Sequence, residues 1–155
     1  MIKEGQYHFA HVHFLTGTDP SKKWTGWIEL TSGGFYDGRL NFVTLNTRYS
    51  PIPHLAFSGN VQRYSLKNVG VYKSSADYYL YTAQTRISLS PRLQTFFLYQ
   101  KNTVTKSDGI NAKFSWEYKP LSYVYLVYNN RAWTENNIND RNSQAIFKLS
   151  YLKQF

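Results

Sequence analysis

The chain has no cysteine, which excludes a disulfide framework and any thiolate nucleophile or thiolate-bound metal. It has no stretch approaching the ~18 uninterrupted apolar residues of a membrane-spanning helix. Acid is scarce: 9 Asp and Glu stand against 18 Lys and Arg, a formal charge of +9. The bases do not cluster, with no run longer than Lys22-Lys23, so the charge lacks the concentrated patch of a nucleic-acid-binding surface. Bases that line an interior, or that meet anionic lipid phosphates, suit the scattering better.

Aromatic residues are plentiful. They make up 18% of the chain, including 14 Tyr and 10 Phe, yet mean hydropathy is −0.50. Many aromatics in a polar chain is what alternating strands produce when one face meets lipid and the other meets water. Helical signals are almost absent and strand signals recur throughout, predicting strands near 6–15, 24–32, 39–49, 54–65, 77–89, 93–102, 110–119, 122–131 and 142–153. Each is close to the ~9–11 residues with which a tilted strand crosses a bilayer.

Alternation also predicts faces. Trp24, Gly26, Ile28 and Leu30 oppose Thr25, Glu29 and Thr31, and Leu55, Phe57, Gly59 and Val61 oppose Ser58, Asn60 and Gln62. Tyr79, Tyr81, Ala83, Ile87 and Leu89 oppose Thr82, Gln84, Arg86 and Ser88, and Phe114, Trp116 and Tyr118 oppose Lys113, Ser115, Glu117 and Lys119. Segments 93–102 and 122–131 are apolar on both faces and leave their orientation open. Charge on a lipid-facing strand centre costs ~2–4 kcal/mol, so Asn60, Gln62, Gln84, Arg86, Lys113 and Glu117 are expected to face a lumen. Arg48, Arg63, Lys119 and Lys148 are expected to add positive charge wherever their neighbours are polar.

The connections are expected to sort by length. Ser50-Pro51-Ile52-Pro53, Ser90-Pro91-Arg92 and Lys119-Pro120-Leu121 read as tight proline turns. Tyr64–Ala76, Lys101–Gly109 and Arg131–Arg141 read as longer polar loops on the other rim, the pattern of outer-membrane barrels. The expected fold is therefore all-β, an antiparallel up-and-down transmembrane β-barrel of about eight or nine strands. Residues 1–155 would form a single barrel domain or the C-terminal part of a larger barrel. Bacterial single-chain barrels close with an even count. The odd count, and a start at Met1-Ile2-Lys3-Glu4-Gly5 without an apolar leader, favour the larger barrel.

Three runs and the ending carry a family resemblance: Ile87-Ser88-Leu89-Ser90-Pro91-Arg92-Leu93, then Asn111-Ala112-Lys113-Phe114-Ser115-Trp116-Glu117-Tyr118-Lys119-Pro120, then Tyr125-Leu126-Val127-Tyr128-Asn129, and finally Phe147-Lys148-Leu149-Ser150-Tyr151-Leu152. With Gly33-Gly34-Phe35-Tyr36-Asp37-Gly38, they resemble the C-terminal barrel of a group of bacterial outer-membrane proteins. That group carries a family-9-like carbohydrate-binding β-sandwich ahead of the barrel. The resemblance implies a bacterial outer-membrane location, with lipid, including lipopolysaccharide, as surroundings. The β-sandwich is absent from this sequence, so no glycan-binding role is carried over. Phe147, Leu149, Tyr151 and the terminal aromatic Phe155 resemble the C-terminal signal that barrel-insertion machinery reads.

No catalytic set emerges. Glu4, Asp19, Asp37, Asp108, Glu135 and Asp140 fall in expected loops or at the terminus, while Glu29 and Glu117 stand singly in strands, where inward Lys or Arg would pair with them. His11 and His13 share a face as an i, i+2 pair, but His8 points away and no neighbouring acid completes a metal site. Gly33-Gly34 and Asp37-Gly38 lack the Lys-Ser/Thr ending of a phosphate loop and read as a hairpin. Trp24, Trp27, Trp116 and Trp133 fit interfacial girdles better than sugar stacking. No cofactor and no nucleic-acid partner are expected. The leading expectation is a membrane anchor or a subunit of an envelope complex, with other envelope proteins or a missing N-terminal part as partners. The alternatives are a small anion-favouring pore, or a soluble β-barrel or sandwich that binds a glycan or hydrophobic ligand.

Overall fold

The computed structural model describes residues 4–135 and 138–153, and the described chain is all-β. Nine strands follow in order: β1 (His11–Gly17), β2 (Trp24–Phe35), β3 (Gly38–Ile52), β4 (Leu55–Val69), β5 (Ser74–Ser90), β6 (Leu93–Asn102), β7 (Ser107–Lys119), β8 (Ser122–Glu135) and β9 (Ile138–Ser150). They make one antiparallel up-and-down sheet in sequence order. All nine expected segments contain a strand, as period-two alternation rich in aromatic and β-branched residues favours. The sheet is open: each strand pairs only with its sequence neighbours, and β1 and β9 each keep one edge unpaired among the described residues.

The expected sorting of loops fails. β4 and β5 run through most of 64–76, leaving a tight turn whose Gly70 and Lys73 adopt positive φ (78° and 47°). β6 and β7 likewise shorten the 101–109 connection, and β8 and β9 run into 131–141. Asp108 and Asp140 therefore sit in strands, not loops. The long connection lies on the proline side, between Gly17 and Trp24. Polar residues do not force a loop: a hairpin extended beyond an apolar band can pair polar strands, because the ladder bonds are made by the backbone. β2 also continues through Gly33, Gly34 and Phe35, so the hairpin turn is only Tyr36–Asp37.

The first strand starts five residues later than expected, and the last ends at Ser150, leaving Tyr151 beyond it. Phe155 lies outside the described residues. The pairing of each proline-turn hairpin shifts register close to its proline, between Tyr49/Ile52, Ser88/Ser90 and Glu117/Lys119. Proline cannot donate to a ladder, and a bulge beside it absorbs the lost bond.

Two faces result, and register decides which residue belongs to which. Directly opposed residues share a face, so Thr25–Arg48–Ser58–Gln84–Leu98–Asn111–Asn129–Gln144 form one continuous row. The other face carries rows such as Ile87–Thr95–Phe114–Leu126–Phe147. The two strands left open by the sequence are thereby oriented. Phe97 and Tyr99 of β6 and Leu126 and Tyr128 of β8 belong to the apolar face, while Leu98, Gln100, Tyr125 and Asn129 belong to the polar one. No described hydrophobic residue is buried.

Candidate functional site

The polar face is where chemistry could gather. Asn60, Gln62, Gln84, Arg86, Lys113 and Glu117 all fall on it by register. The first four sit together on β4 and β5, with Asn60 opposite Thr82 and Gln84 opposite Ser58. Arg86 and Lys113 flank Phe96 of β6 from either side, and Glu117 lies two face positions beyond Lys113. Asn60 Nδ2 reaches the Leu45 carbonyl and the Thr44 hydroxyl, at 3.4 and 3.5 Å. Lys113 Nζ rests 5.5 Å from the centroid of the Tyr125 ring.

Several expected partnerships differ. Glu29 pairs not with an inward Lys or Arg but with His13, whose Nε2 is 2.9 Å from Oε1. That contact also takes up one of the two histidines that could have formed a metal pair, and the described residues contain no group of three possible metal ligands. Glu117 Oε1 instead accepts from the Leu121 backbone N–H at 3.0 Å, capping a turn whose Leu121 has φ 59°. Arg63 does not join the polar face. It lies opposite Val43 and Tyr79, donates to Asp77 at 3.1 Å and sits 5.6 Å over the Tyr79 ring. Trp27 and Trp133 stand on the polar face and only Trp24 and Trp116 on the apolar one, so just two of the four fit an outward girdle.

The apolar face carries Phe147 and Leu149 of β9, both more than half exposed. Tyr151, past the strand, has Lys119 Nζ 5.7 Å from its ring centroid. Towards the hairpin tips this face turns polar. Ser32 donates to Asn41 at 2.7 Å, and Arg63, Ser65 and Lys67 follow Val61 along β4. At those tips Asp37 accepts from the Gly70 N–H at 2.8 Å and stands 3.6 Å from Lys73 Nζ. The Gly70 bond, aided by Lys73, holds its carboxyl below the usual carboxylate range.

Two features escape inspection of the sequence. One is an amide-lined cleft of about 610 Å³ over Gly109, walled by Gln100, Asn111, Asn129, Arg131, Trp133 and Gln144, in which the Asn111 amide donates to Asn129. The other is a cleft of about 220 Å³ between Arg48 and Arg86. Alternation assigns each residue a face, but only the register across four or five strands brings these side chains side by side.

No family model matches the chain, and neither a curated protein nor a solved structure matches it.

Proposed function

We propose that this sheet is wall of a β-barrel in a bacterial outer membrane, serving as a membrane anchor or as a subunit of an envelope complex. One observation carries the reading: a continuous apolar face with no described hydrophobic residue buried. The accessible surface is 11600 Å², against roughly 8,100 Å² for a compact monomer of this mass. A soluble monomer rarely exposes an apolar patch beyond ~300–600 Å². Here Trp24, Leu89 and Phe147 are 70, 67 and 64% exposed on one face or at its margin. Something apolar must cover such a face, and among the described residues no second layer does.

Lipid fits its dimensions. Along β5 the outward residues Tyr79, Tyr81, Ala83, Thr85, Ile87 and Leu89 span ten residue steps, about 33 Å. At the ~40° tilt usual for barrels that is about 25 Å of height, the thickness of the apolar band of outer-membrane barrels. Polar residues continue the strands beyond it, as Ser65 and Lys67 do on β4 after Arg63 at the level of Tyr79. The unpaired edges of β1 and β9 require closure, because exposed backbone N–H and C=O groups in lipid cost several kcal/mol each. Further strands or a partner subunit would supply it. The surroundings would include lipopolysaccharide, and barrel-insertion machinery would assemble the wall.

Liposome flotation tests the reading. The chain refolded with lipid should float with the vesicles and resist extraction at high pH. A folded monomer that stays in the aqueous phase without detergent would overturn it in favour of a soluble sheet covered by another protein layer.

A further inference from the structure

We propose that the polar face holds a phosphate-binding cleft built by Arg48 and Arg86, extended by Lys22 and Lys23 and suited to a diphosphate. The register creates it. Arg48 of β3 lies directly opposite Ser58 of β4, and Arg86 of β5 directly opposite Ala56. Ser58 and Ala56 are successive positions on the same face of β4, so the two arginines flank that strand diagonally with only small side chains between them. The result is the cleft of about 220 Å³ that Gln84 also lines. Both arginines are exposed, and neither forms an ion pair or side-chain hydrogen bond among the described residues. On this face Glu29 is engaged by His13 and Glu117 by the Leu121 amide, so neither acid neutralises the pair.

Arg48 is shared with a second cleft of about 290 Å³, which Lys22 and Lys23 line beside the Pro51 turn. Four cations thus border two adjoining hollows that meet at Arg48. A guanidinium presents a fixed fork of donors that matches two phosphate oxygens, and lysine adds a compact charge. A single phosphate would fill the arginine cleft, and a second, linked phosphate would reach the lysine cleft. The inference rests on strand register and not on the membrane reading, so failure of flotation and failure of anion binding are separate results.

Calorimetric titration of inorganic pyrophosphate into the full chain, folded in zwitterionic detergent at low ionic strength, tests it. Saturable 1:1 binding, tighter than that of inorganic phosphate, is expected. Arg48→Gln and Arg86→Gln should each weaken it about ten-fold or more. Lys22→Gln with Lys23→Gln should erase the preference for pyrophosphate, while Arg63→Gln, on the opposite face, should leave affinity unchanged. Arg86→Lys keeps the charge and loses the fork, so its reduced affinity carries the test if a glutamine variant loses its β-sheet circular dichroism. No saturable heat, or equal affinity in the Arg48→Gln/Arg86→Gln double variant, would overturn the proposal. Competition with short-chain phosphatidylglycerol identifies the source: displacement of pyrophosphate assigns the cleft to a lipid headgroup, and no displacement assigns it to a soluble phosphate compound.

Discussion

Individual residues at the hairpin tips lock neighbouring turns together. Asp37, in the β2–β3 turn, accepts from Gly70 in the β4–β5 turn and lies near Lys73. Its carboxyl is held below the usual carboxylate range, first by the Gly70 N–H. A depressed folded pKa means a contribution present above the unfolded value and lost as pH falls through the folded one. The Gly70 amide proton shift should therefore titrate with a midpoint below that of an ordinary aspartate, and Asp37→Asn should abolish that titration. The neighbouring Gly38 is fixed by space. A Cβ there would fall 2.4 Å from the Lys67 carbonyl and 2.7 Å from Val69 Cγ2. Gly38→Ala should cost about 1–3 kcal/mol, the usual penalty of overpacking, read as a lowered urea midpoint in detergent.

At the scale of a strand, adjacent residues answer to different surroundings. Phe97 and Leu98 neighbour each other on β6, yet Phe97 lies in the row Thr85–Phe97–Ala112 and Leu98 in the row Gln84–Leu98–Asn111. If lipid covers the first row, Phe97→Arg should destabilise the bilayer-inserted protein by about 2–4 kcal/mol, the midplane cost of a lipid-facing arginine. Leu98→Arg should cost far less, because its row is polar. Equal penalties in unfolding titrations from vesicles would remove the facing assignment. The same alternation explains why β6 and β8 were unreadable alone. Phe96, Leu98, Tyr125 and Val127 put apolar groups on the polar face, so composition no longer separates the two sides.

For the molecule as a whole, the odd strand count matters. Successive antiparallel pairing makes β1 and β9 point the same way, so self-closure would need a parallel pair in an otherwise antiparallel sheet. Cysteines placed at Phe14 and Phe147, in a chain with no native cysteine, should give no intramolecular disulfide on oxidation in lipid. Its efficient formation would show self-closure. An unclosed wall encloses no lumen, so the isolated chain should be electrically silent in planar bilayers. Steady anion-selective channels would replace the anchor role with that of a pore.

Local periodicity determined much of this protein by itself. Nine strand-length segments predict nine strands, and in the alternating ones faces follow for Asn60, Gln62, Gln84, Arg86, Lys113 and Glu117 because side-chain direction in a strand depends only on parity. Parity held for Arg63 as well, which continues the apolar-face series of Leu55, Phe57, Gly59 and Val61 and finds Asp77 there. The expectation from its charge, which had suggested the other side, is what failed. Only the tertiary structure decided that the polar stretches at 64–76 and 101–109 pair as strands, that Arg48 and Arg86 converge across β4, and that the sheet stays open. Those outcomes depend on register and on which edges meet, and both are settled between strands by backbone pairing rather than within any one of them.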